Sequence, residues 1–69
     1  GIDAALTGPL ARGDRGTVAA HLAALRTLAP GAVELYAAVA HREIDIAERR
    51  HRLTSDHAAD LRRLLSEAG

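Results

Sequence analysis

The sequence predicts an all-α fold, a small bundle of about three main helices, and three observations support this prediction. Apolar residues recur at intervals of three and four along most of the chain, which is the spacing of one face of a helix. Glycine and proline occur together at two points and divide the chain into segments of helix length. No run of four or more residues has the alternation that is typical of a strand.

The composition indicates one small domain with an aliphatic core. The chain has 69 residues, Tyr36 is its only aromatic residue, and cysteine is absent. A domain of this size buries only about 60% of its unfolded surface, so its stability margin is thin. Small domains usually need a disulfide, a metal or a partner subunit. Since no disulfide is possible, we expect a homodimer or a neighbouring domain of a longer parent protein.

The charges exclude several classes of function. Nine acidic residues balance nine basic ones, so the chain lacks the positive surplus that nucleic-acid binding requires. Every basic residue is arginine, which rules out a lysine Schiff base or a lysine general base in this segment. No apolar stretch approaches the roughly 20 residues that span a bilayer. We therefore expect a cytoplasmic protein without nucleic-acid or membrane partners.

The irregular stretch from Thr7 to Asp14 precedes the first main helix. The chain starts at Gly1 without methionine, and Ile2–Leu6 resembles the last turns of a helix. This start is either part of a longer protein or a short frayed terminus. Thr7-Gly8-Pro9 ends that helix, and Pro9–Arg12 is predicted to form a single turn that Gly13 breaks. Asp14 is a good N-cap for a helix running to about Leu28. The apolar stripe of this helix is Val18, Leu22, Leu25 and Ala29.

The longest predicted helix runs from Ala32 to about Arg50, after the punctuation at Pro30-Gly31. Two apolar stripes follow it, and a helix with two such stripes is normally buried on two sides. One stripe is Val33, Tyr36, Ala40, Ile44 and Ala47; the other is Leu35, Val39 and Ile46, continuing toward Leu53. Two acid-first pairs at i, i+4 are expected near its end: Asp45 with Arg49, and Glu48 with Arg52.

The last predicted helix begins at a cap and carries one apolar face. Thr54 is the expected N-cap, and Leu53 lies before it, where it can pack onto the helix from outside. Ala58, Leu61, Leu64 and Leu65 form the apolar face.

Few motifs in the chain point to chemistry. Gly8 and Gly13 have the spacing of a phosphate loop, but Asp14 stands where that loop needs lysine and no strand precedes it. Arg12-Gly13-Asp14 could be an adhesion tripeptide, yet its glycine and aspartate are sufficiently explained as a break and a cap.

His21 borders the apolar face of its helix, either as a partly buried packing residue or as a group that handles substrate or protons. His41 and Asp45 could touch a metal weakly, but a solvated helix face is the simpler interpretation.

One family resemblance rests on the order of residues from Leu6 to Leu22 and beyond. Leu-Thr-Gly-Pro is followed by Arg-Gly-Asp, Thr-Val and His-Leu, and then by a proline-started helix that contains Leu-Tyr. This order resembles the C-terminal helical domain of an uncharacterised group of bacterial Rossmann-like NAD(P) oxidoreductases. Those proteins are similar to ketopantoate reductase and pyrroline-5-carboxylate reductase. The matching residues are Leu6, Thr7, Gly8, Pro9, Arg12, Gly13, Asp14, Thr17, Val18, His21, Leu22, Pro30, Leu35 and Tyr36, with the Leu53-Thr54 cap and the final helix.

The resemblance implies a 6-phosphogluconate-dehydrogenase C-terminal-like fold and a parent whose N-terminal Rossmann domain binds NAD(P). Residues 1–69 would then be one helical domain that forms the dimer and closes the cleft for a small-molecule substrate. It would bind no cofactor and have no activity alone. The implied substrate-binding residues are Thr7, Gly8, Pro9, Arg12, Asp14 and His21, with no catalytic residue and no metal ligand. The alternative is a non-catalytic helical oligomerisation or protein-interaction module.

Overall fold

Three consecutive α-helices make up most of the chain that the structure describes. The structure is a computed structural model, and it describes residues 14–68. The helices are α1 (Arg15–Leu28), α2 (Val33–Arg49) and α3 (Ser55–Ala68), and a 3-10 turn at Pro30–Ala32 joins the first two. No strand occurs among these residues, so the prediction of an all-α fold with three main helices is confirmed. The predictions for Ile2–Leu6 and for Pro9–Arg12 lie outside the described residues.

The start of α1 and the connection to α2 follow local sequence signals. The Asp14 carboxylate accepts a hydrogen bond from the Thr17 backbone N–H at 3.1 Å, so Asp14 is the predicted N-cap. Pro30 stands at the first position of the 3-10 turn, where its missing N–H costs no hydrogen bond. The α-helical geometry of α2 therefore begins at Val33, one residue later than predicted. Ala29 is exposed and does not extend the apolar stripe of α1.

The C-terminus of α2 is closed by a left-handed residue, His51. Its φ is 58°, and it is the one non-glycine residue with positive φ in the described part of the chain. The N–H of His51 donates to the Glu48 carbonyl at 3.0 Å, and the N–H of Arg52 donates to the Ala47 carbonyl at 2.8 Å. These two bonds form a Schellman motif, which satisfies carbonyls that the end of a helix leaves open.

The entry into α3 matches the predicted cap. The Thr54 hydroxyl accepts a hydrogen bond from the His57 N–H at 3.2 Å. Leu53 is buried before this cap and packs with the core. Its burial anchors the chain between the end of α2 and the start of α3.

One aliphatic core lies between the three helices, and α2 makes its most extensive contact with α3. Ten residues are buried in it: Val18, Leu22, Val33, Ala40, Ile44, Ala47, Leu53, Ala58, Leu61 and Leu65. Leu25, Tyr36, Ala37 and Leu64 pack against it while partly exposed. No helix among the described residues combines the length and the apolar character that a bilayer crossing needs.

The second apolar stripe of α2 is not buried within the described residues. Leu35 is 70% exposed and Val39 is 50% exposed, whereas Leu53 lies in the core and does not continue this stripe. The expectation of burial on two sides is therefore wrong for these residues, because α1 and α3 both pack against the stripe that contains Ala40 and Ile44. We call the exposed side of α2, which carries Leu35 and Val39, its outer face.

Candidate functional site

Most of the predicted substrate-binding residues precede the described part of the chain. Thr7, Gly8, Pro9 and Arg12 lie outside it, so their placement stays a prediction. Asp14 and His21 are described. Seven residues are about two helical turns, so these two side chains leave similar sides of α1 roughly 10 Å apart along its axis.

Asp14 is held by its role in the helix start. Besides the N-cap bond, its carboxylate accepts a hydrogen bond from the Thr17 hydroxyl at 2.8 Å. Both bonds bind the carboxylate to the first turn of α1. Asp14 thus fixes where α1 begins, and its predicted role in substrate binding stays a prediction.

His21 is exposed on α1. A packing histidine would be partly buried, so this interpretation of His21 is not supported. Its ring meets the edge of the Tyr36 ring on α2, with centroids 6.5 Å apart and planes at 84°. This T-shaped arrangement is favoured for aromatic pairs. Burial, with a smaller contribution from the nearby Glu43 charge, raises the pKa of the Tyr36 hydroxyl. The tyrosine therefore stays neutral at physiological pH.

Arg62 of α3 binds two carboxylates of α2, an arrangement that the sequence did not predict. Its guanidinium lies 2.8 Å from Asp45 and 2.7 Å from Glu48. The predicted pairs of these acids with Arg49 and Arg52 do not form; Arg62 takes both acids because α3 packs against that side of α2. The hydrogen bond from Arg62 is the main reason that the pKa of Asp45 is lowered, and both acids raise the pKa of Arg62.

A shallow cavity of about 280 Å³ lies on the C-terminal half of α2. Its lining is Arg42, Ile46, Arg49 and Arg50. The three arginines are exposed and Ile46 is partly buried. We call this cavity the arginine groove. In the sequence these four residues have the spacing i, i+4, i+7, i+8. The same spacing is typical of an ordinary solvated helix end, so the groove is not predictable from the sequence.

A metal site at His41 and Asp45 has no support in the described residues. Among them, no group of three or more histidine, aspartate or glutamate side chains is arranged to hold a metal ion. Asp45 is instead bound to Arg62. The interpretation of this pair as part of an ordinary helix surface is thus the better one.

Within residues 14–68, the fold and the cap geometry define a small all-α helical domain. The chain belongs to the family described as Domain of unknown function (DUF2520), whose model matches residues 1–43. The match spans the Thr7–Asp14 corner, α1 and the first part of α2. The resemblance at the Leu53-Thr54 cap and in α3 lies beyond it. No curated protein and no solved structure matches the chain.

Proposed function

We propose that this chain is the C-terminal dimerisation and substrate-cleft domain of an NAD(P)-dependent oxidoreductase-like protein, and that it has no activity alone. The observation that carries the proposal is the family match over residues 1–43. This family is associated, as a C-terminal domain, with NAD(P)-binding oxidoreductases. The match includes every residue that the sequence resemblance assigns to substrate binding. Similarity to ketopantoate reductase or pyrroline-5-carboxylate reductase is the finer part of the same proposal.

The cofactor is assigned to the Rossmann domain of the proposed parent. A dinucleotide is usually held by a glycine-rich turn between a strand and a helix. The described residues form no strand, and the sequence has no Gly-x-Gly-x-x-Gly motif. No residue of this chain is therefore given a role toward NAD(P).

The proposed substrate contacts lie at the Thr7–Asp14 corner. The Arg12 guanidinium can bind a carboxylate with two parallel hydrogen bonds, which suits a small carboxylate-bearing substrate. The Thr7 hydroxyl supplies a further polar contact, and Gly8 and Pro9 shape the chain around it. The position of Asp14 supports this role, because it follows Gly13 directly and is fixed at the start of α1 by its N-cap bond.

A second candidate function is a non-catalytic oligomerisation module. It is favoured by three large apolar side chains that remain exposed, at Leu28, Leu35 and Val39. Exposed apolar surface of this kind marks interaction sites when it is contiguous. The two functions share a dimer, and they differ in whether the Thr7–Asp14 corner contacts a substrate.

A substitution of Arg12 in the full-length protein tests the proposal. We expect Arg12→Ala to raise KM for a carboxylate substrate on the order of tenfold or more, because a charge-assisted clamp is lost. The matched control is Arg26→Ala, which removes an exposed arginine of α1 without a salt bridge among the described residues. An unchanged KM in the Arg12 variant, with the dimer intact, would favour the oligomerisation module.

A further inference from the structure

The outer face of α2 changes from apolar to cationic along its length. Leu35 and Val39 occupy its N-terminal half, and Arg42, Ile46 and Arg49 follow at helical spacing in its C-terminal half. The arginine groove, which also includes Arg50, therefore lies on the side of α2 that faces away from the core. Three arginines and one aliphatic residue, Ile46, line it.

The arginines of the groove form no salt bridge within residues 14–68. Asp45, the predicted partner of Arg49, binds Arg62 instead, and so does Glu48. Asp45 still interacts electrostatically with Arg42 and Arg49. The cross-helix pairing at Arg62 thus leaves three positively charged guanidinium groups without a direct carboxylate contact among the described residues.

The helix dipole explains only part of this charge. Cations are favoured in the last turn of a helix, and Arg49 and Arg50 occupy that position in α2. Arg42 lies two turns earlier, where the dipole effect has fallen off. Arg42 lines the groove together with Ile46, so the lining is both charged and apolar.

We propose that the arginine groove binds a small phosphate monoester, with the phosphate between the arginines and an apolar part of the ligand on Ile46. A phosphate dianion has three oxygens that accept bidentate bonds from guanidinium groups, and its two charges suit three arginines better than the single charge of a carboxylate. The cavity of about 280 Å³ has room for a small ligand and not for a large cofactor. The residues of this site are different from those proposed for substrate binding at Thr7–Asp14, and the proposal does not depend on the proposed function.

The proposal is tested by NMR titration of the 69-residue chain with phenyl phosphate, inorganic phosphate and benzoate. We expect the largest amide shifts within residues 42–50. We also expect the order of affinity to be phenyl phosphate, then inorganic phosphate, then benzoate. This order separates the contribution of the phosphate charge from that of the apolar group. Phenyl phosphate has both, inorganic phosphate has only the charge, and benzoate has the apolar group with a single negative charge. Equal affinities, or shifts centred outside these residues, would overturn the proposal.

Substitutions assign the binding to the arginines. The double variant Arg42→Gln with Arg49→Gln should weaken phenyl phosphate binding at least tenfold, because two charge-assisted contacts are lost. Its matched control is Arg26→Gln with Arg63→Gln, which removes the same charge from other exposed sites. Both variants change exposed side chains, and circular dichroism checks that both keep the fold. A similar loss of affinity in the control would mean that only the net charge of the protein matters, and this would overturn the proposed site.

The size of the ligand is tested with two further probes. A phosphoserine peptide and a hexaglutamate peptide present phosphate or carboxylate groups on a polypeptide. We expect both to bind more weakly than phenyl phosphate. Tighter binding of either peptide would overturn the assignment of a small-molecule ligand.

Discussion

At the C-terminus of α2, one residue adopts a conformation that its side chain disfavours. His51 has a φ of 58°, in the left-handed region that glycine occupies most easily. The Schellman hydrogen bonds from His51 and Arg52 hold it there. This helix end is not predictable from the sequence, because the usual signal is glycine or asparagine and neither follows α2.

We expect His51→Gly to stabilise the protein by about 1 kcal/mol, since an L-residue in the left-handed conformation costs roughly 1–2 kcal/mol. The gain is smaller than this cost when glycine also increases the entropy of the unfolded chain. Urea denaturation followed by circular dichroism measures the change. The matched control is His57→Gly in the first turn of α3, which should destabilise the protein because glycine is unfavourable in a helix. A His51→Gly variant that unfolds at lower urea would contradict this account.

Local polar contacts in the candidate site were predictable to the extent that they lie near in sequence. The Asp14 cap follows from residue type and from its position before an apolar stripe, and the structure confirms it. The contact of His21 with Tyr36 joins residues of two helices, so it depends on how α1 and α2 pack. Periodicity within one helix does not contain that information. The roles of Thr7 and Arg12 stay predictions.

Among the helices, α2 shows how far the sequence determines which apolar residues are buried. The stripe from Val33 to Ala47 was predicted and is the buried one. The second stripe has the same spacing, and its exposure is decided by the number of helices available to cover it. The predicted pairs of Asp45 and Glu48 failed for a related reason, because a partner from α3 took the place of the local arginines.

We expect Arg62→Gln to lower stability at pH 7 by breaking the link between α2 and α3. The effect should be modest, because the three side chains remain partly exposed to water. Arg62 lowers the pKa of Asp45 in the folded state. A carboxyl group with a lowered folded pKa stabilises the protein above its unfolded pKa, and this contribution is lost as the pH falls through the folded value. The difference between wild type and variant in the urea midpoint should thus shrink below about pH 4.

The matched control for this prediction is Arg63→Gln. Arg63 lies next to Arg62 on α3, is more exposed, and approaches Asp60 only to 3.8 Å. Its variant should differ little from wild type at any pH. A pH-independent loss in the Arg62 variant would mean that packing of its side chain, and not the ion pairs, stabilises the contact between the helices.

At the scale of the whole molecule, a small aliphatic core coexists with a helix face that no described element covers. All ten buried residues of the described part of the chain are aliphatic, and three of them are alanines, which bury little area each. Leu35 and Val39 remain outside this core. The composition predicted the thin aliphatic core. It also predicts a partner, and this stays a prediction. The sequence does not indicate which surface such a partner would cover, because both stripes of α2 have the same spacing.

The outer face gives the last prediction, which concerns the proposed homodimer. We expect the double variant Leu35→Gln with Val39→Gln to be monomeric by light scattering at micromolar concentration, whereas the wild-type chain is dimeric. Exposed leucine and valine side chains gain about 25 cal/mol per Å² when a partner buries them, and glutamine forfeits most of this gain. Leu28→Gln is the comparison variant, since Leu28 is 82% exposed at the end of α1 and lies outside α2. A monomeric Leu28 variant would extend the dimer contact to α1. The folded monomer should keep its helical content, because neither residue belongs to the core. A double variant that remains dimeric would place the dimer contact elsewhere on the chain, and a wild-type monomer would remove the homodimer from the proposed function.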